Sequence, residues 1–297
     1  MDLLRNYICL LKKRLLLILF ILLAFGVYKL HIYRTDGFSL QEITPQFKYR
    51  DDWTPPMQTL SQEQLKEILK QPFSYLGKGA QVYAFVSTDQ KYVLKLVKQK
   101  HLHFNSFETA VYKLSFMETF KNKRLTKQKN RVQRLLYSSS LAFQYLKEET
   151  GLLYIHLLPT DHLNSFASIT DKAGESYLID LDAFEFIIQL KGDSLIHTLS
   201  TMSLEEKKEA LKDLLVLLVN RSKKGIKEMD RRLLENIGFL DGNPFFIDAG
   251  RFVLDKDVSN QKIYRPLLNE ELRPLKLWLK QTDPQTAIWF KEQVAQI

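Results

Sequence analysis

The apolar positions change rhythm along this chain, and each change predicts a different kind of element. Residues 15–28 (LLLILFILLAFGVY) are apolar without interruption and show no polar face, which a helix packed in a soluble core would carry. With Leu10 and Leu11 before it and an apolar continuation to Tyr33, the run predicts a helix long enough to cross a membrane, which takes about 20 residues. Ala24-Phe25-Gly26 offers a small-x-small cleavage pattern, the alternative of a signal peptide. Apolar and basic residues follow directly, which favours an uncleaved anchor over residues 1–34. Residues 35–60 hold Pro45, Pro55 and Pro56 with few aliphatics, and read as a linker along the surface.

From residue 61 the pattern becomes that of a folded domain. Ser61 and Gln64 form a capping-box pair opening a short helix to Lys70. Residues 73–98 read as strands, with Gly77 and Gly79 early and a turn at Asp89-Gln90. Helices are expected near 104–120 and 130–149, the second stopped by Gly151. Strands follow at 152–158, in a hairpin over 166–170 and 176–181, and at 184–190, ended by Lys191-Gly192. Ser203 and Glu206 then cap an amphipathic helix to about Lys224, with Leu211, Leu214, Leu215 and Leu218 on one face. Helices at about 268–280 and 284–295 close the chain, the last with Asp283 as N-cap and Pro284 in its first turn. Strands first and helices second predict an α+β protein of two lobes, a strand-rich lobe with a helical insertion over 61–192 and a helical lobe over 193–297.

Composition alters this picture in two places. The 297 residues are 45% hydrophobic and 26% charged, which excludes wholesale disorder. The lone cysteine, Cys9, falls in the apolar N-terminus, so the folded part has no disulfide or cysteine metal site, and His101-x-His103 reads as a loop pair. The net charge of +9 is concentrated: eleven Lys/Arg face two acids between Lys95 and Arg134, with seven bases in 121–134. That stretch is either a solvated helix face or linker, or a surface for anionic lipid head groups beside the anchor. Nucleic acid is disfavoured, because few aromatics are interleaved and no reader motif is present. Arg5, Lys12, Lys13 and Arg14 precede the apolar run and Lys29 and Arg34 follow it, so the positive-inside rule favours a cytoplasmic N-terminus and the domain on the other side.

Candidate chemistry comes from an ordered set of short signals. Gly77-Lys78-Gly79 lies between two strands, where missing side chains let backbone N–H groups approach phosphate. Sixteen residues after Gly79, Lys95 stands in an apolar strand, costly to desolvate unless it meets an anion. Each alone has a plain structural reading, a hairpin turn or a solvent-facing lysine. Then follow a hinge-like Gln189-Leu190-Lys191-Gly192, an amphipathic helix, Asp230 with Asn236, and Asp248-Ala249-Gly250.

In this order the set resembles the protein-kinase-like superfamily over residues 70–255, which implies a two-lobed kinase-like fold using ATP and Mg2+. By that resemblance Asp230 orients a hydroxyl nucleophile, Asn236 and Asp248 hold Mg2+, Lys95 contacts the α/β-phosphates, and Gly77 and Gly79 approach the nucleotide. The helix glutamate expected to pair with Lys95 has four candidates: Glu108, Glu118, Glu148 and Glu149. The chain departs from the pattern in several respects. Val82 stands near the third loop glycine, Glu228-Met229 replaces His-Arg, and the Asp230–Asn236 spacing is one residue longer than usual. Ala249 replaces Phe, no Ala-Pro-Glu is present, and only 47 residues follow Gly250. So short a remainder disfavours a peptide substrate held in the usual way. The leading expectation is a single-pass, membrane-anchored ATP-dependent phosphotransferase acting on a hydroxyl of a lipid, saccharide, small molecule or unusual protein segment. An ATP-using domain conflicts with the side favoured by the charge rule unless that compartment contains ATP. The alternatives are a catalytically inactive pseudokinase serving as a membrane-tethered scaffold, and a structural envelope protein in which Lys95 and Asp248 share no cleft.

Overall fold

In the computed structural model, residues 2–45, 58–99 and 117–297 are described. The helix expected near 104–120 falls largely outside them, as do His101, His103, Glu108, Pro55 and Pro56. Helix α1 (Asp2–Thr35) is continuous, and its 13–35 stretch is long and apolar enough to span a membrane. Its side chains from Leu15 to Leu23 stand exposed, as the absence of a polar face requires. The helix stops where Asp36 and Gly37 take left-handed φ values of 53° and 76°.

The next residues belong to the packed structure. Phe38 is buried edge-on against Tyr83, Phe85 and Tyr177, and α2 (Leu40–Ile43) buries Ile43 in the same cluster. The start of the segment expected as a surface linker over 35–60 is therefore a wedge in the core. Helix α3 (Gln62–Leu69) follows, opened by the Ser61–Gln64 capping box.

Seven strands form one sheet: β1 (Phe73–Lys78), β2 (Val82–Ser87), β3 (Tyr92–Val97), β4 (Leu152–His156), β5 (Phe166–Thr170), β6 (Ser176–Asp180) and β7 (Phe186–Leu190). Their order is β4-β7-β3-β2-β1-β5-β6, antiparallel except for the β1–β5 pair. One face buries Phe73, Phe85, Leu94, Phe186 and Ile188 beneath α3 and the α2 wedge. The other meets α4 (Glu118–Tyr145), which buries Val132, Leu135, Leu136 and Ala142. The basic stretch 121–134 is thus helix, not linker, and its apolar stripe is shared with the helical lobe. A single turn, α5 (Lys147–Thr150), ends at Gly151 in the left-handed conformation.

The crossing into the second lobe is fixed by close packing. The Gln189 side-chain amide donates to the carbonyls of Thr150 (2.5 Å) and Phe246 (3.0 Å), tying β7 to both sides of the joint. A Cβ on Gly192 would stand 2.1 Å from Phe245 Cε1 and 2.6 Å from the Phe239 carbonyl, so only glycine lets the chain pass. Beyond it come β8 (Asp193–Ser194), α6 (Leu195–Thr201) and α7 (Leu204–Lys223), the last with the expected Ser203–Glu206 box. The site-bearing segment follows: β9 (Ile226–Glu228), α8 (Leu233–Asn236), the hairpin β10 (Ile237–Leu240) with β11 (Asn243–Phe246), and β12 (Phe252–Leu254), paired with β9. Helices α9 (Gln261–Glu271), α10 (Arg273–Thr282) and α11 (Pro284–Gln296) close the chain. The sequence pattern merged α9 into α10, because Pro266 interrupts the helical signal although the helix runs through it.

Gly192→Ala is expected to lower stability by about 1–3 kcal/mol, the usual cost of overpacking, read as a drop in the thermal midpoint of the detergent-solubilised chain. A pH dependence follows from Glu185, which is 1% exposed. One of its oxygens accepts from Gln99 Nε2 at 2.8 Å and the other has no partner, and burial pushes the carboxyl up to about 8. A folded-state pKa above the unfolded value binds the proton preferentially in the native state. Its stabilisation is full below the unfolded value of 4.5 and is lost as pH rises through about 8. The thermal midpoint should therefore fall on going from mildly acid to alkaline buffer, and Glu185→Gln should flatten that fall.

Candidate active site

The tip of the β1–β2 hairpin is tied down from three sides. The Gly79 N–H donates to the Val82 carbonyl (3.0 Å), and Lys98 Nζ donates to the Gly79 carbonyl (2.7 Å). Arg131 on α4 donates to the Ala80 carbonyl (3.0 Å), while Gln81 Nε2 donates to the Arg131 carbonyl (3.1 Å). Gly77 lies at the irregularity where the β1–β2 register shifts, and Gly79 at the tip. Neither has a positive φ, and a Cβ would meet nothing closer than Val82 Cγ2 at 3.8 Å from Gly79. Neighbouring protein atoms therefore do not demand these glycines. Gly79 lines the cleft described below, whereas Gly77 does not reach it.

Lys95 lies mid-strand in β3, opposite Ala84 of β2 and Ile187 of β7. Its Nζ donates to the carbonyl of Ile247, 152 positions away in sequence. Burial pulls its pKa below the usual lysine range, and the Asp248 charge opposes that shift. The helix glutamate is not found among the described residues. Glu118 is exposed in the first turn of α4, Glu148 is exposed, and Glu149 pairs with Lys224. Asp248 is instead the carboxylate whose charge Lys95 feels.

Asp230 is 9% exposed and follows directly on β9. Its N–H donates to Glu228 Oε1 (2.6 Å), and Arg232 clasps its carboxylate through Nε (3.2 Å to Oδ1) and Nη2 (2.8 Å to Oδ2). Arg251 Nε stands 3.8 Å from Oδ2. The Arg232 fork holds the Asp230 carboxyl below the ordinary range, while burial pushes Glu228 up to about 8. Beneath this loop lies a buried pair: Arg221, under the Phe246 ring, meets Glu271 in a two-pronged contact at 2.7 Å on each arm.

Asn236 ends α8 and is 5% exposed. Its carbonyl accepts from the N–H groups of Ile247 (2.9 Å) and Asp248 (3.3 Å), which registers the Asp-Ala-Gly segment against the Asp230 loop. Asp248 Oδ1 accepts from the Gly250 N–H (2.9 Å). Ser138 of α4 completes the support, donating to the Ala249 carbonyl and accepting from the Phe252 N–H.

Gly79, Gln81, Asp230, Asn236, Asp248 and Gly250 are drawn together around one narrow cleft of about 20 Å³. The arrangement puts two oxygen-bearing side chains, Asn236 and Asp248, beside a hairpin tip; Lys95 does not line the cleft and reaches it only through the Ile247 carbonyl and the Asp248 charge. Among the described residues no three His, Cys, Asp or Glu groups cluster as a metal site. One carboxylate and one amide suit an ion such as Mg2+ that takes its remaining ligands from phosphate and water. Sequence reasoning missed Gln81, Ser138, Arg232 and Arg251. The basic pair after Asp230 and the serine run at 138–140 inside a helical stretch are the signals that mark Arg232 and Ser138.

No family model matches the chain, and no curated protein sequence matches it. Among solved structures it is similar to the bifunctional kinase-methyltransferase WbdD, at a TM-score of 0.37 and 16% identity over 76% of this chain and 47% of that one. It is also similar to Rv3197 from Mycobacterium tuberculosis, solved with erythromycin, at 0.31 and 13% over 71% of this chain and 59% of that one. The ADP-bound aminoglycoside phosphotransferase APH(2'')-Ib matches at 0.32 and 14%, over 78% of this chain and 84% of that one. The chain thus spans about half the length of WbdD, and the likeness is loose throughout.

Arg221→Met should cost about 3–5 kcal/mol by stranding the Glu271 carboxylate, and the double change with Glu271→Leu should recover much of it. Denaturant midpoints of the two variants and the parent check both halves of that expectation.

Proposed function

We propose that the chain is a membrane-anchored phosphotransferase that moves the γ-phosphoryl group of ATP to a hydroxyl. The observation that carries this reading is the convergence of Asp230, Asn236, Asp248 and the Gly79 tip on one cleft, with Lys95 held against the Ile247 carbonyl. In this reading Asn236 and Asp248 hold Mg2+, which supplies charge neutralisation when bound. Lys95 would leave the Ile247 carbonyl to contact the α/β-phosphates, and the hairpin tip would cover the nucleotide. The acceptor oxygen attacks the γ-phosphorus, the bond to the β,γ-bridging oxygen breaks, and ADP leaves. The hydroxyl proton passes to Asp230. Its low basicity suits a loose transition state, in which orientation matters more than proton abstraction. The exposed apolar face of α1 supports single-pass anchoring, and the domain then faces a compartment that contains ATP.

One observation favours a second reading, a pseudokinase used as a membrane-tethered binding module. The Asp230 carboxylate is already engaged by Arg232, with Arg251 close by. An active enzyme must loosen that clasp when the acceptor arrives.

A thermal-shift titration with MgATP tests the site. Stabilisation of about 2.7 kcal/mol is expected at a hundredfold excess over the dissociation constant. Lys95→Ala and Asp248→Asn should abolish it, and Asp230→Asn should keep it while losing phosphoryl transfer. No shift at any soluble MgATP concentration defeats the nucleotide reading, and a shift with turnover indifferent to Asp230→Asn makes the chain a binding module.

A further inference from the structure

Beside the catalytic cleft runs a second groove of about 530 Å³ between α4 and the segment that follows Asp-Ala-Gly. It is lined by Lys127, Arg131, Arg134 and Arg251, and no acid is found among the described residues that line it. Lys127, Arg131 and Arg134 follow at i, i+4 and i+7, so one face of α4 presents all three. Among the described residues, none of the three has a carboxylate within ion-pair distance: Arg131 and Arg134 donate only to the backbone carbonyls of Ala80 and Asn130. Gln81, Gly250 and Arg251 line both the groove and the catalytic cleft, and Arg251 lies 3.8 Å from Asp230. The groove therefore adjoins the cleft that Asp230 lines.

The groove also has a fixed position relative to the apolar helix. Asp36, the residue after α1, accepts from the Tyr75 hydroxyl (2.8 Å) and pairs with Lys78 and Lys172 (3.2 Å each). The Gly37 carbonyl accepts from the Tyr83 hydroxyl (2.6 Å), and Phe38 is wedged into the core. No free tether separates helix from lobe. A cleft of about 270 Å³ runs from Asp36 past Lys98 to Arg131, the same arginine that lines the basic groove. The opposite approach to Asp230, under Tyr264 and Leu268, mixes Lys227 and Arg231 with Glu228, Glu270 and Glu271, so it lacks the single sign of charge that the basic groove presents.

Building on the phosphotransferase reading, we infer that the acceptor is the hydroxyl-bearing headgroup of an anionic lipid, held by Lys127, Arg131 and Arg134 with its hydroxyl toward Asp230. The anchor end holds the lobe at the bilayer surface, where each basic side chain adds to the attraction for anionic lipid. The phosphate of the headgroup then takes the unpaired cations, and Arg251 is drawn from Asp230 toward it.

The test is binding rather than turnover. The full chain in zwitterionic detergent is titrated with phosphatidylglycerol, and bound lipid is followed by native mass spectrometry. Retention of phosphatidylglycerol over phosphatidylcholine is expected, weakened about tenfold or more by the double changes Lys127→Glu/Arg134→Glu and Lys127→Gln/Arg134→Gln, and unaltered by Lys280→Glu on exposed α10. Equal retention by parent and both double variants overturns the inference. So does displacement of the lipid by soluble glycerol phosphate at matching concentration, which identifies a free anion as the occupant. The MgATP thermal shift, run on the same samples, separates the two readings. Groove-dependent lipid retention without a nucleotide shift leaves the lipid site standing and removes the phosphotransferase.

Discussion

Ile247 to Gly250 are held by three separate parts of the chain, and the site exists only because all three hold at once. The Asn236 carbonyl takes the N–H groups of Ile247 and Asp248, Lys95 from the sheet takes the Ile247 carbonyl, and Ser138 from α4 takes the Ala249 carbonyl. Buried backbone groups must find partners, and here the partners come from both lobes and the helix between them. Sheet, α4 and Asp230 loop are therefore positioned by the same four residues. Lys95 illustrates the consequence: its desolvation is tolerable only because the Ile247 carbonyl and the Asp248 charge are brought to it.

Electrostatics divides the molecule into two neighbourhoods. Around the cleft, carboxylates are matched closely: Asp230 by Arg232 and Glu271 by Arg221, while Glu228 is pushed toward its neutral form. That matching keeps several acids within a small volume without mutual repulsion. On one face of α4 the reverse holds: Lys127, Arg131 and Arg134 have no acid in ion-pair distance among the described residues. A surface that leaves like charges unmatched favours an outside partner of opposite sign, and its continuity with the cleft gives that partner a direction.

Much of this was legible in the residues. The Ser61 and Ser203 caps, the Gly151 stop and the Asp283-Pro284 start are local rules, and each appears where its pattern stands. Alternating strands and the leucine face of α7 follow from periodicity, which depends on nothing distant. Less legible were features whose cause is remote. Phe38 and Ile43 read as part of a sparse linker, yet they are buried because Tyr83 and Phe85 lie beneath them. Pro266 disguised α9, where packing overrides local propensity.

By itself the sequence determined the apolar helix, the element types, the concentration of charge on one stretch and the order of Gly79, Lys95, Asp230, Asn236 and Asp248. These are properties of short windows, set by period, capping and composition. Tertiary structure alone decided that Gly79 and not Gly77 borders the cleft, that Lys95 feels the Asp248 charge, and that Arg232 clasps Asp230. It alone placed the basic face of α4 against that cleft and fastened the end of α1 to the lobe. Charges and hydrogen-bond partners act over a few ångströms in space, and 152 positions of chain separate Lys95 from the carbonyl that holds it.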